Sequence, residues 1–73
     1  MARLPVISGD EFVRAVARIG FVWDRTHGSH MILIGPAGLR LSVPRQKELG
    51  RGLLRALIRD SGLTREEFLR LLR

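Results

Sequence analysis

Short turn signals divide the middle of the chain into three β-prone segments. The predicted strands cover residues 21–25, 29–34 and 39–43, and the predicted turns fall at residues 26–28 and 35–38. Parallel neighbours need a crossover of roughly a dozen residues or more, so connections this short permit only antiparallel pairing. Leu39, Leu41 and Val43 alternate with polar residues, which predicts an apolar face toward a core. The sequence therefore predicts a three-stranded antiparallel meander, ended by Pro44 because proline cannot donate to a strand ladder.

Amphipathic helices with clear end signals flank this meander. Apolar residues at helical spacing predict helices over residues 9–19 and 50–61, and a short third helix after them. Two capping boxes, each a serine or threonine followed three residues later by glutamate, lie at Ser8/Glu11 and Thr64/Glu67. Gly20 and Gly62 are the predicted C-cap glycines of the first two helices.

The predicted element order is α-β-β-β-α plus a short C-terminal helix, which is an α+β fold. The most economical packing lays the helices on one face of the sheet and leaves the other face open. Residues 1–73 are interpreted as a single domain, because 73 residues leave no room for a second core.

The charge balance gives a first indication of function. Thirteen basic residues against seven acidic ones give a net charge of +6, and twelve of the thirteen are arginine. Arginine presents a planar fork of donors that can bind phosphate with two hydrogen bonds at once. This excess favours a polyanionic partner, nucleic acid first, although an arginine-rich solvated surface has the same composition.

Composition excludes several other classes of protein. No apolar run approaches the ~18 residues that suggest a membrane-spanning helix, and the first residues lack the apolar region of a signal peptide. We therefore expect a cytoplasmic protein that does not contact a membrane. Because the chain has no cysteine, disulfides and thiolate zinc sites are excluded. No cofactor is expected.

The two histidines lie three residues apart in the stretch T-H-G-S-H-M-I-L, residues 26–33. The spacing of His27 and His30 would be compatible with two metal ligands, but Asp24 is the one carboxylate close to them in sequence. Zinc sites need three or four protein ligands. No metal site is expected, and His27 is interpreted as an exposed turn residue without a role.

His30 is the candidate for proton transfer. It begins a predicted strand directly after Gly28 and Ser29, where small residues let a substrate come near. Alternation places it on the face of Ile32 and Ile34, but the pattern does not say which face the helices cover. An ordinary histidine titrates near pH 6.5, so it can accept or donate a proton at neutral pH. The competing interpretation is a histidine hydrogen-bonded at a sheet edge.

Basic residues cluster after the second predicted turn. Arg51, Arg55 and Arg59 recur at spacing four and form one stripe on the outward side of the second helix. From Arg40 to Arg59 there are six basic residues and one acidic residue. The cluster indicates a phosphate-binding surface whose affinity falls steeply with salt; the alternative is a solvated helix face.

A series of short motifs, in order along residues 4–69, carries a resemblance to a known family. The series is Pro5-Val6-Ile7-Ser8-Gly9, Gly28-Ser29-His30, Val43-Pro44, Lys47-Glu48-Leu49, Gly52, Leu54, Ile58, Gly62-Leu63-Thr64 and Glu67-Phe68. No single element is specific, but the ordered series is. The chain resembles the HicA (YcfA-like) family of mRNA interferase toxins.

The resemblance implies a fold similar to the double-stranded-RNA-binding domain, in agreement with the element order above. It implies a toxin of a type II toxin–antitoxin system that cleaves mRNA independently of the ribosome. It assigns the catalytic histidine of the Gly-Ser-His motif to His30. It also implies an HicB-type antitoxin that covers the active site.

One position departs from the family pattern. Many relatives carry a histidine shortly after the proline, where this chain has Gln46. Glutamine can hydrogen-bond a phosphate but cannot exchange a proton. With His30 as the one assigned proton carrier, water or substrate must be the other, which predicts a slow enzyme.

The resulting hypothesis is metal-independent RNA cleavage, because RNA carries its own nucleophile in the 2′-OH. The candidate RNA- and phosphate-binding residues are Gly28, Ser29, Arg40, Arg45, Gln46, Lys47, Arg51 and Arg55. Phe21 or Trp23 would stack an unpaired base if exposed. Two alternatives stay open: a non-catalytic RNA-binding module of the same fold, and an inactive relic that only binds an antitoxin, which Gln46 favours.

Overall fold

A computed structural model describes residues 3–72 of the chain. The elements are α1 (Gly9–Ala17), β1 (Val22–His27), β2 (His30–Ile34), a short 3₁₀ turn (Pro36–Gly38), β3 (Arg40–Pro44), α2 (Arg51–Asp60) and α3 (Arg65–Leu71). The strands form one antiparallel sheet in the order β1-β2-β3. This confirms the predicted α+β fold and its terminal helix.

Both predicted capping boxes are formed. The Ser8 hydroxyl accepts from the Glu11 N–H at 3.0 Å, while the Glu11 carboxylate accepts from the Ser8 N–H at 2.9 Å. Thr64 and Glu67 make the same pair of bonds at 3.2 and 2.8 Å. The hydrogen bond from the Thr64 backbone, and after it the one from the Thr64 side chain, hold the pKa of Glu67 below its usual range. Each box satisfies N–H groups that the first turn of a helix leaves unpaired.

Helix α1 is shorter than predicted, ending at Ala17 rather than at residue 19. The N–H groups of Arg18, Ile19 and Gly20 donate to carbonyls three residues back, at 3.1–3.2 Å. The end of the helix therefore tightens into a 3₁₀-type turn, which is common at helix termini. Gly20 then adopts a φ of +100°, as expected for a C-cap glycine.

One face of the sheet carries the core and the other is open. Met31 and Leu33 of β2 are buried, as are Leu41 and Val43 of β3. The helices supply most of the remaining core residues, chiefly Phe12, Val16, Leu54, Leu57, Ile58 and Phe68. Leu39 was also predicted to lie inward, but it precedes β3 and is 39% exposed. The helices thus cover one face, as the packing argument predicted.

The turn between β1 and β2 lies elsewhere than predicted. Strand β1 continues through His27, and the turn consists of Gly28 and Ser29 alone. Gly28 has a φ of +62°, and Ser29 does not share this positive φ. A positive φ at the first central residue alone is the pattern of a type II′ turn, whose twist matches that of the flanking strands. The predicted turn at residues 26–28 and the predicted strand start at Ser29 are therefore wrong.

Strand β1 is an exposed edge with a β-bulge. Trp23 pairs with Leu33 and Arg25 pairs with Ile32, so Asp24 is an extra residue without a partner in β2. Trp23 lies on the helix-side face but is 56% exposed, and its Nε1 donates to the Thr26 hydroxyl at 3.2 Å. Phe21 is buried in the core and is not available to stack a base.

The first turn of α1 packs directly on the end of β3. A Cβ atom on Gly9 would overlap the carbonyl oxygen of Pro44. The Gly9 N–H donates to the Gln46 carbonyl at 2.9 Å, and the Arg45 N–H donates to the Ser29 carbonyl at 2.7 Å. These contacts join α1, the segment after β3 and the β1–β2 turn into one seam.

The last helix is part of the core. Phe68 of α3 and Phe12 of α1 are both 0% exposed, and their rings stack with centroids 5.3 Å apart. Arg18 Nη1 also donates to the Leu71 carbonyl at 2.9 Å. Among the helices formed by residues 3–72, none has the length and apolar character needed to cross a membrane.

Gly9→Ala is expected to lower the free energy of unfolding by about 1–3 kcal/mol, the usual cost of overpacking a close contact. The neighbouring atom is backbone and cannot rotate away. Gly52→Ala is the matched control, since Gly52 lies in the first turn of α2 and a Cβ added there would have no atom within 4 Å. It is expected to be neutral or to stabilise by up to about 1 kcal/mol through helix propensity. Urea denaturation of both variants tests this; equal effects would contradict the close contact.

Phe68→Ala is expected to cost about 3–5 kcal/mol, as for other buried phenylalanines. The control is Leu53→Ala, because Leu53 is an apolar helix residue that is 37% exposed. Its cost should be well under half as large. A loss below about 1 kcal/mol for Phe68→Ala would show that α3 does not belong to the cooperative unit.

Candidate functional site

The exposed side chain of His30 lies at one end of the open sheet face. His30 is the first residue of the central strand β2 and pairs with His27 of β1 on one side and Pro44 of β3 on the other. Both histidines are exposed, whereas Pro44 is buried. Directly paired residues share a face of the sheet. The imidazole of His30 is therefore accessible from solvent on a backbone that is paired on both sides.

The segment after β3 borders this end of the sheet. The backbone of Arg45 is fixed by its hydrogen bond to Ser29, next to His30. Its side chain is exposed, with Nε 3.7 Å from a carboxylate oxygen of Asp10. Because that ion pair is solvated, it is worth little and a phosphate can compete for the guanidinium. The candidate residues that lie together are thus Gly28, Ser29, His30 and Arg45.

Gln46 and Lys47 follow in the same exposed segment. Backbone groups fix Gln46, whose N–H donates to the Pro44 carbonyl at 2.9 Å and whose carbonyl accepts from Gly9. The side chains of Gln46 and Lys47 are exposed. Both residues therefore border the site, through a segment whose course is set by the seam.

Arg40 lies away from His30. It pairs with Ile34 at one end of the sheet, while Pro44 pairs with His30 at the other. The two pairs are four residue steps apart along the strand, about 13 Å at the usual rise. Arg40 shares the open face with His30 but belongs to its far end.

The arginine stripe lies in the helical layer. Arg51, Arg55 and Arg59 are exposed on α2, which packs over the covered face of the sheet. Arg51 borders a cleft with Leu4, Pro5 and Val6. Arg55 and Arg59 line a second cleft, together with Arg65. The stripe is therefore a surface distinct from the open face that carries His30.

Two features of the open face were not predicted from the sequence. Arg25 pairs with Ile32, so it shares the face of His27 and His30, and its Nε lies 3.9 Å from Asp24. The dipeptide Gly28-Ser29 between two β-prone runs is itself a signal for a two-residue hairpin. That signal places the flanking histidines opposite each other, whereas a three-residue turn does not.

The chemistry of this end of the sheet is that of imidazole and guanidinium groups. Within residues 3–72, no cluster of three or more histidine, aspartate or glutamate side chains has the arrangement of a metal site. Imidazole groups can accept or donate a proton, and nearby cations can bind an anion. Together these groups are suited to the chemistry of phosphate esters.

Comparison with known families identifies the chain. A family model described as the HicA toxin of bacterial toxin-antitoxin systems matches residues 9–63. The match runs from the start of α1 to just past α2 and contains every candidate site residue. A search of curated proteins found no match. Because the family model covers well over half of the chain, the protein belongs to the HicA family: it is a toxin of a bacterial toxin–antitoxin system and has an antitoxin as its partner.

Proposed function

We propose that this toxin is an endoribonuclease that cleaves mRNA without a metal ion and uses His30 for proton transfer. The observation that carries the proposal is the position of His30, exposed at the end of the open sheet face beside the basic segment after β3. The family match supports the toxin role, and RNA is the substrate whose cleavage these side chains suit best.

The chemistry requires few protein groups. The 2′-OH of RNA attacks the adjacent phosphorus, so neither a metal-bound water nor a covalent enzyme intermediate is needed. A base must take the 2′-OH proton, and an acid must protonate the departing 5′ oxygen. One positioned proton-transfer group contributes roughly 10²- to 10⁴-fold. His30 is the group assigned to one of these transfers.

Cationic and polar groups near His30 would hold the phosphate. Arg45 is the first candidate, because its backbone is hydrogen-bonded to Ser29 beside His30. Lys47 and the Gln46 amide follow in the same exposed segment. Donors prearranged at the site of developing negative charge stabilise the transition state of such reactions. The α2 arginines, Arg51 and Arg55, would instead contact more distant parts of a bound RNA.

The partners proposed for this toxin are mRNA and an HicB-type antitoxin. An antitoxin that presents acidic groups to the end of the sheet at His30 would block the phosphate-binding cations by charge complementarity. We assign residues 1–73 to one HicA-like toxin domain acting on cytoplasmic mRNA. The stacking of Phe68 of α3 on Phe12 supports including α3, which lies beyond the family match.

His30→Ala is expected to reduce RNA cleavage by about 10²- to 10⁴-fold, because it removes a proton-transfer group. The fold should survive, since the side chain is exposed. Ser42→Ala is the matched control, a change on the same face of the sheet in the neighbouring strand. Purified proteins are compared on a single-stranded RNA in EDTA, with circular dichroism to check folding. Equal cleavage by wild type and His30→Ala would contradict the proposal; RNA retention in a gel shift without any cleavage would favour a binding module.

Arg45→Gln is expected to weaken RNA cleavage more than Arg40→Gln. Both residues are exposed arginines at the ends of β3, but Arg45 alone lies at the His30 end. Loss of one phosphate contact should also lower the slope of log affinity against log salt by about 0.7. Binding and single-turnover rates measured over a salt series test this. Equal losses in the two variants would show that Arg45 has no special relation to the cleaved phosphate.

A further inference from the structure

His27 and His30 form a directly opposed pair across the β1–β2 hairpin. They flank the two-residue turn Gly28–Ser29 and are partners in the register. In an antiparallel pair, opposed Cβ atoms lie about 4.5–5.5 Å apart on the same face. Both residues are exposed. The two imidazoles therefore project from one end of the open face, side by side.

The backbone of the hairpin and its neighbours fixes this arrangement. Gly28, with its φ of +62°, sets the turn, and the Ser29 carbonyl accepts the Arg45 N–H from the segment after β3. The pairing continues inward through Thr26 and Met31. The backbone beneath both histidines is thus held, while their side chains remain free to contact a ligand.

Resting on the proposed ribonuclease function, we propose that His27 is the second catalytic residue and that the two histidines divide the two proton transfers. One imidazole accepts the proton of the 2′-OH as the 2′ oxygen bonds to phosphorus. The other, protonated, gives its proton to the 5′ oxygen as the P–O5′ bond breaks. The products are a 2′,3′-cyclic phosphate and a free 5′-OH. The enzyme ends with the proton exchanged between the histidines, and exchange with water resets the pair.

Paired imidazoles suit this reaction because attack and departure are in line, on opposite sides of phosphorus. A base and an acid are then needed on either side of one phosphate rather than at one point. The opposed strand positions of His27 and His30 provide two separate imidazoles for these two places. Arg25, next on the same face of β1, and Arg45, beside the turn, supply the adjacent cations. Gln46 cannot carry a proton, and in this proposal His27 of β1 is the second proton carrier instead.

The test compares three variants on two substrates. His27→Ala is expected to lose roughly 10²- to 10⁴-fold in RNA cleavage, as His30→Ala does. Thr26→Ala is the control, since Thr26 neighbours His27 but points to the opposite face; it should cleave at nearly the wild-type rate. The second substrate is a nucleoside 3′-(p-nitrophenyl) phosphate, whose leaving group needs no proton. One of the two histidine variants should recover on it and the other should not.

Several outcomes would overturn the role of His27. Cleavage of RNA by His27→Ala at nearly the wild-type rate would do so while leaving His30 and the proposed function intact. Full activity of His27→Lys would show that position 27 needs only a positive charge. If neither His27→Ala nor His30→Ala regained activity on the nitrophenyl phosphate, neither histidine would be the acid. Absence of any RNA cleavage by the wild type would instead overturn the proposed function, and this inference with it.

Discussion

The close approach of α1 to the end of β3 is the contact on which the candidate site depends. Gly9 lets the first turn of the helix meet the Pro44 carbonyl, and its N–H bonds to Gln46. The next backbone bond, from Arg45 to Ser29, extends the seam to the hairpin turn. Each such bond contributes only about 0.5–1.5 kcal/mol. Together they connect the exposed end of the sheet to the core. The backbone of the site is therefore held by the packed elements and is not a separate loop.

The two faces of the sheet have different roles: one packs on the helices, and the other carries the candidate site. The covered face holds Met31, Leu33 and their neighbours, while the open face carries the exposed histidines at one end. The bulge at Asp24 changes which face the start of β1 shows. If Asp24 were a regular strand residue, alternation back from His27 would place Trp23 on the open face; because Asp24 is bulged out of the pairing, Trp23 lies on the helix side. Bulges occur often at sheet edges and next to active sites, where they redirect side chains.

Much of this fold followed from local rules in the sequence. Ser8 and Thr64 marked helix starts because their capping bonds are local, and the short turns permitted only an antiparallel meander. Errors arose where a single residue decides the geometry. The hairpin turn was predicted at residues 26–28 instead of 28–29, which concealed the opposition of His27 and His30. The distance of Arg40 from His30 could not be predicted either, because a cluster of charges along the sequence does not show at which end of the sheet each residue lies. Trp23 could not be placed because its face depends on the bulge.

We propose that RNA itself supplies the nucleophile at the end of the sheet marked by His30. The most direct measurement uses a short RNA of known cleavage site and the same RNA with a single 2′-deoxy nucleotide at that site. The expected result is complete resistance of the substituted bond, with 2′,3′-cyclic phosphate and 5′-OH ends on the products of the unmodified RNA. Cleavage at the deoxy position, or products with 5′-phosphate ends, would contradict it.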